Sequence, residues 1–391
     1  MPTPGRRLAL MVAGTALAVI AACTLVPLPR QLTESAATPW YCLVCGDQGM
    51  VDVLLNVALF VPLGVGLGML GLRPLRAAAT GFLLALAIEL LQATLVTGRD
   101  ASLSDVLTNA GGTLAGAILV TLAPGLWRPS VAAARRLALG AGLAWLALLM
   151  GSGWLLTPDR PRTPPSLVRA PVVPFLEPFP GSIVLATSDS SANSWRLHAD
   201  VVTDRLTDRL APVLELRDGG HFPLARLGQL GQKPVFSWRL HATRAFLRTP
   251  AVRLYGGVLP DAAVPATLEG GKAGPILWAA GTVNGQRHAA ELALTPGLGW
   301  MLLLPLNYPF DVHSRSTSAV WLALPLLLVG FWAGRARAGF ALVIAATALL
   351  LLSGLEGTAA VFHLARDGTL AWGMGIGAVV GGWAWGMRRE A

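Results

Sequence analysis

The sequence predicts a polytopic α-helical membrane protein of about eight transmembrane helices, with both termini cytoplasmic and an extracytoplasmic all-β sandwich or jelly roll inserted between helices five and six. Three observations predict it. Only 13% of the 391 residues are charged and 54% are hydrophobic, at a mean hydropathy of +0.59, whereas globular chains carry about 25% charged residues. The charge deficit falls in blocks close to the ~20 apolar residues that a spanning helix needs. Between the fifth and sixth blocks the pattern changes to short alternating runs bounded by Gly, Pro, Asp and Asn, the signature of half-buried strands.

The uncharged windows run Arg7 to Arg30, Asp52 to Arg73, Asp105 to Arg128, Arg136 to Asp159, Arg315 to Arg335, Arg337 to Glu356 and Asp367 to Arg388. A further window, Arg76 to Arg99, is interrupted only by Glu89. Basic residues gather in alternate loops, at Arg6/Arg7, Arg73/Arg76, Arg128/Arg135/Arg136, Arg335/Arg337 and Arg388/Arg389, while the opposite short loops hold Arg30, Arg99 and Arg366. The positive-inside rule then places both termini in the cytoplasm and residues 157–316 outside it. The net charge of +9 follows this loop pattern and forms no basic stripe, which argues against nucleic acid as a partner.

Four domains follow in order: a membrane domain at 1–156, a proline-rich linker at 157–180, the β domain at 181–312 and a second membrane domain at 313–391. The first apolar run competes with a signal peptide, and Ile20-Ala21-Ala22-Cys23 resembles a lipoprotein cleavage site. Because the run continues to Leu28, a retained helix is favoured. Trp40-Tyr41-Cys42-Leu43-Val44-Cys45-Gly46 in the first outer loop carries a CxxC pair. A structural disulfide between Cys42 and Cys45 is permitted outside the cytoplasm. A zinc site lacks its other ligands, and a redox pair lacks a βαβ context. Helix two, about Asp52 to Leu72, contains Pro62, expected to kink it, and Gly64, Gly66, Gly68 and Gly71 for close packing. Helix three takes about Leu75 to Val96. Helix four takes about Leu103 to Ala123, with Gly111, Gly112 and Gly116 offering a second close approach. Helix five, about Arg135 to Leu156, is apolar scaffold. Pro158 to Pro180 reads as an extended, semi-rigid spacer. Helices six to eight (about Ser318–Ala333, Ala338–Leu355 and Leu370–Met387) have ionisable residues only near their ends, among them Glu356 and His363, and are expected to serve as anchors.

The chemistry is concentrated between Asp52 and Thr121. Helix direction puts Asp52, Asn56, Glu89, Gln92, Asp105 and Asn109 in one depth range, the outer leaflet and its headgroup layer, with Arg99 in the joining loop. Asn56 and Asn109 lie one turn below Asp52 and Asp105, and Glu89 lies roughly 10 Å below Val96. A carboxylate at membrane depth costs several kcal/mol and faces a cavity or a partner. Glu89, Asp105 and Asp52 are therefore candidate acids or bases. Arg99 is a candidate for an anionic headgroup, and Gln92, Asn56 and Asn109 would orient the ligand. The competing reading is a polar cluster that only fixes helix register. No cofactor is implied, and no metal is demanded, although Asp carboxylates could hold a divalent ion. Ser-His-Asp, Walker and HExxH patterns are absent from the sequence.

These residues also carry a resemblance. Asp52-x3-Asn56-x3-Phe60-x-Pro62-x-Gly64, then Glu89-x2-Gln92, then Arg99-x5-Asp105-x3-Asn109-x-Gly111-Gly112 resembles the VanZ-like membrane family over roughly residues 8 to 155. The resemblance implies an integral protein of the bacterial envelope, from a family linked to low-level resistance to glycopeptides such as teicoplanin. Leu227 to Gln232 and Phe236 to Leu240 resemble concanavalin/laminin-G-type jelly rolls more loosely, and such folds often bind carbohydrate. Trp195, Trp238 and Trp278 would be the contacts there, although strand spacing favours them as core residues. The expected function is recognition or processing of an anionic envelope lipid or glycan precursor at the outer-leaflet site. The alternative is a membrane-anchored, non-enzymatic adaptor that binds glycan through the β domain. A transporter lacks the paired broken helices it needs.

Overall fold

The computed structural model describes residues 4–26, 40–44, 46, 48–96, 101–173, 176–191, 193–219, 222–304 and 313–388. The chain divides into two compact units, Met1–Pro129 and Ser130–Ala391. Among the described residues, seven helices are long and apolar enough to cross a membrane.

The first unit holds four of them: α1 (Pro4–Thr24), α2 (Gly49–Met69), α3 (Pro74–Thr94) and α4 (Leu103–Trp127). Pro74 starts α3, where a missing N–H costs nothing. Asp52 and Asp105 each sit in a first turn, where a carboxylate complements the helix dipole. Lipid gives no hydrophobic drive for helix association, so close backbone approach has to supply the packing. Between α2 and α4 it does. A Cβ on Gly112 would strike the Val57 carbonyl, one on Gly116 the Val61 carbonyl, and one on Gly64 the Thr113 carbonyl. The expected glycine faces are thus used unequally. Gly66 turns to Ala13 of α1, Gly111 meets open space, and Gly71, at φ +90°, makes the turn that follows α2. α2 runs unbroken through Pro62, which lines an apolar groove of about 530 Å³ against Met11, Thr15 and Val19 of α1.

The second unit begins with α5 (Val131–Leu156), whose N-cap Ser130 accepts from the Ala133 N–H at 3.3 Å. Two five-stranded antiparallel sheets follow. One has the order β1-β4-β5-β6-β7, built from β1 (Ser166–Arg169), β4 (Ala211–Arg217), β5 (Ala225–Leu230), β6 (Lys233–Trp238) and β7 (Ala251–Arg253). The other has the order β10-β9-β8-β3-β2, built from β2 (Ser182–Ser190), β3 (Ser194–Val202), β8 (Pro265–Ala273), β9 (Ile276–Val283) and β10 (Gln286–Ala293). The inner faces meet through Phe236 of β6, which packs against Gly270 of β8, and through Trp238 and Trp195, whose rings lie 5.9 Å apart. Leu197, Leu214, Leu216, Leu227 and Leu268 fill the rest of this core. The region is sandwich-like, as the alternating runs predict.

The proline-rich stretch, expected as an extended, semi-rigid spacer, contains a strand. Ser166–Arg169 pairs in register with Leu214–Arg217 as β1. Pro158 bridges Leu240, and buried Asp159 receives both Arg239 and Arg244 of the short helix α6 (His241–Arg244) and its approach. The rings of proline interrupt the strand only at its ends, and the backbone between them completes a sheet edge.

After the sandwich a 3-10 turn, Pro296–Leu302, is buried along its whole length. Then come α7 (Ser314–Arg335), α8 (Phe340–Leu351), a π turn (Leu352–Gly357), α9 (Thr358–Phe362) and α10 (Thr369–Arg388). α8, the π turn and α9 form one continuous span, Phe340–Phe362. Leu322, Leu326, Leu351 and Val379 of these helices share a core with Trp145 and Leu149 of α5. α7 and α10 approach through Gly330, Gly334, Gly382 and Gly386. α10 forms where an eighth span is expected, but glycine and tryptophan dilute its apolarity and it is not among the seven. The C-terminal helices also carry more polar structure than plain anchors would. Glu356, inside the π turn, pairs with Arg366 at 3.1 Å, and Asp367 accepts from the Gly297 N–H at 3.1 Å.

Candidate functional site

The sequence-predicted polar residues gather at one end of the first unit, where α2 and α4 begin and α1 and α3 finish. The Asn56 amide donates to Asp105 Oδ1 at 2.8 Å, tying the second turn of α2 to the first turn of α4. Glu89, only 6% exposed, accepts the Ser102 backbone N–H on Oε2 at 2.6 Å. Ser102 is the N-cap of α4. A side chain of α3 therefore satisfies a donor at the start of its neighbour, and the Glu89 carboxyl sits at the N-terminal pole of α4. Asp105 lies within electrostatic range of Glu89, so two carboxylates and one amide share this helix start.

Gln92 does different work. Its amide donates to the Thr24 carbonyl at 2.9 Å, and this carbonyl is one of the acceptors left over at the end of α1. Asn109 is 2% exposed, and its Oδ1 has no hydrogen-bond partner among the described residues. Its backbone carbonyl receives the Thr113 hydroxyl at 2.9 Å, and this hydroxyl also fills the space above Gly81 of α3. Asp52 is exposed in the first turn of α2. The structure thus brings Asn56, Asp105 and Glu89 together, joins Gln92 to α1, and places Asp52 at the rim. Arg99, the proposed anion holder, and Cys45, the second half of the expected disulfide with Cys42, lie outside the described residues.

Partners that side-chain patterns do not reveal complete the site. The Ser104 hydroxyl donates to the Leu43 carbonyl at 2.7 Å, and the Leu103 N–H to the Trp40 carbonyl at 2.8 Å. Both pin the segment that precedes α2 to the start of α4. The CxxC sequence around Cys42 marks that segment as constrained, but not what it is constrained against.

Chemically, the arrangement offers two carboxylates of unequal surroundings, one buried and one half-buried, beside an amide whose orientation is fixed by Asp105. Carboxylates and an amide of this kind can accept from hydroxyl or amine groups. The arrangement also locks helix register.

Residues 13–124 match the VanZ/LLP1 family. The matched segment contains every member of the polar set, from Asp52 to Asn109. No curated protein and no solved structure matches the chain.

Proposed function

We propose that this multi-pass membrane protein, with its VanZ/LLP1 segment, recognises or processes an anionic envelope lipid or glycan precursor at the polar end of α2, α3 and α4. The observation that carries this reading is the Asn56–Asp105–Glu89 group. Three polar side chains from three membrane-capable helices converge at one helix start, inside the matched segment. Asp105 and Glu89 act as acid or base, Asn56 and Asn109 orient the ligand, and Asp52 and Arg99 meet it at the surface. By family, the phenotype is reduced susceptibility to glycopeptides such as teicoplanin. The reading includes a topology with cytoplasmic termini, residues 157–316 outside, and a Cys42–Cys45 disulfide on that outer side. It places the protein in the plasma membrane of a bacterial envelope.

The test is a pair of isosteric replacements, Glu89→Gln and Asp105→Asn, in cells assayed for glycopeptide susceptibility and for envelope lipid composition against a deletion strain. Loss of the phenotype at normal protein level and melting temperature supports the site. Wild-type behaviour of both variants sinks it and leaves register as the role of the group. Cysteine labelling adds the topological check: a residue beside Arg76 labelled from outside would overturn the assigned sidedness.

A further inference from the structure

We propose that β10 is a dimerisation edge: it pairs antiparallel with β10 of a second copy of this chain, about a two-fold axis through Ala289, and joins two five-stranded sheets into one. This interface is independent of the reading given for the helical unit.

A sheet edge is a row of N–H and C=O groups without ladder partners, and proteins that stay single blunt it with short strands, proline, lysine or bulges. The two sheets end in β1, β7, β2 and β10, and the first three are blunted. β7 has three residues and follows Pro250. β1 has four, between Pro165 and Pro171. β2 carries a bulge between Ile183 and Leu185, and the Arg169 guanidinium donates to its Ala186 carbonyl at 3.4 Å. β10 has none of these devices. All eight residues, Gln286–Ala293, pair with β9 without a shift, and neither proline nor lysine occurs among them. Only Ala290 and Leu292 are less than exposed. Among the described residues, no backbone hydrogen bond reaches β10 from the side away from β9.

The hairpin fixes which groups this edge offers. Asn284 and Gly285, at φ +50° and +77°, make a two-residue turn between Val283 and Gln286. A turn of this kind closes on a hydrogen-bonded pair, and hydrogen-bonded and non-hydrogen-bonded pairs alternate from there along the ladder. Gln286, His288, Ala290 and Leu292 therefore direct their N–H and C=O groups to β9. Arg287, Ala289 and Glu291 turn theirs to the open edge. Because alternate residues share a sheet face, these three also carry their side chains on one side.

Charge identifies the occupant as a second copy. Antiparallel pairing centred on Ala289 sets Ala289 against itself and Arg287 against Glu291 of the second copy, twice by symmetry. Opposite charges directly across an antiparallel pair stabilise it, and like charges destabilise it. Centres at His288 or Ala290 would keep the backbone bonds but set Arg287 against Ala289 or Ala293, so the charges select Ala289. Both groups are available for the pairing. Glu291 has no ion pair among the described residues, and Arg287 reaches Glu269 at 3.4 Å, a carboxylate that Arg196 and His198 also hold. Dimerisation gives each Glu291 an arginine and each open N–H and C=O of the edge a partner.

The full chain carrying Ala289→Cys, with Cys23→Ser as its parent, is oxidised in native membranes, where all copies share one sidedness. A hydrogen-bonded antiparallel pair sets its Cα atoms about 5.5 Å apart, within reach of a disulfide. A covalent homodimer should form in Ala289→Cys and in neither the parent nor Ser188→Cys on β2. Arg287→Glu or Glu291→Arg, added to Ala289→Cys, should each lower the dimer yield about tenfold. Coexpressing those two variants should restore it, because each supplies the charge that the other lacks, and the rescue also shows that both chains fold. An Ala289→Cys chain that stays monomeric, or that crosslinks only to other proteins, would overturn the proposal. So would a yield that neither charge reversal changes, or a loss that coexpression does not rescue.

Discussion

Asn56 donates to Asp105 at 2.8 Å across the α2–α4 contact, joining residues 49 apart in the chain. The bond sits just above the level where Gly112 and Gly116 let the two backbones touch. Polar fixation and steric fit therefore act on the same pair of helices at successive depths.

A double-mutant cycle on Asn56→Ala and Asp105→Ala measures the polar part. Interhelical hydrogen bonds in membranes are worth about 0.6 kcal/mol on average, up to about 1.7. A coupling energy in that range is expected from denaturant unfolding in detergent. Additive single mutants would show that the two side chains do not act on each other in the folded protein.

The steric part separates two glycines of α4. Gly116→Ala pushes a methyl into the Val61 carbonyl, whereas Gly111→Ala points one into open space. Overpacking of this kind costs roughly 1–3 kcal/mol. Thermal unfolding should therefore show a clear loss for Gly116→Ala and almost none for Gly111→Ala. Equal losses would mean that α2 and α4 do not pack on this face.

In the β region, Arg239 is 4% exposed at its side chain and holds Asp159 at 2.9 Å and Asp218 at 2.6 Å. The two buried carboxylates raise its pKa, with the hydrogen bond to Asp218 outweighing burial. Removing one partner of a buried pair leaves an uncompensated charge at a cost of about 3–5 kcal/mol. Arg239→Met should lower the midpoint accordingly, and Asp218→Asn added to it should recover part of the loss. A near-neutral Arg239→Met would show that Arg244 alone can carry Asp159.

Acid titration addresses the loop before α10. Burial holds the Asp367 carboxyl above the ordinary aspartate range, against hydrogen bonds from Thr295 and the Gly297 N–H, and Glu356 pushes the same way as burial. A carboxyl raised in the folded state contributes stability that is complete below the unfolded pKa, near ~3.9, and is lost as pH rises through the folded value. Asp367→Asn keeps an acceptor for Gly297 and carries no charge. Its melting temperature should exceed wild type at pH 7 and converge with it towards pH 4. The opposite order at pH 7 would show that the ionised form is the one the fold prefers.

Much of this was legible in the sequence because hydropathy and alternation are local signals. Blocks without charge became helices from Pro4 to Phe362, and runs such as Ser194–Val202 became strands with alternating burial. Asn56 and Asp105 converge as helix direction predicts. What the sequence hides is non-local or borne by backbone. Glu89 and Gln92 find an N–H and a carbonyl, which no side-chain pattern announces. Ser166–Arg169 joins a sheet through a partner 48 or so positions onward, and proline on either side disguises it. Trp238 is core, as strand spacing suggests, yet Trp278 stays half-exposed because a glycine on the next strand makes room for it.

The sandwich is fastened to its neighbouring helices at two places. At its entrance Asp159, three residues after α5, is clamped by Arg239 and Arg244, and the Trp238 indole donates to its carbonyl at 3.0 Å. At its exit the buried turn Pro296–Leu302 lodges Trp300 against Ser318 of α7 at 3.0 Å and Gly297 against Asp367. A head held at both stalks cannot swing on either one. Rotation of α5 or α7 in the bilayer would have to be carried through to the strands, and excising the strands would strip the helix ends of their own packing. In mechanical terms the sandwich is a keystone, which makes single substitutions, and not domain deletion, the informative way to probe it.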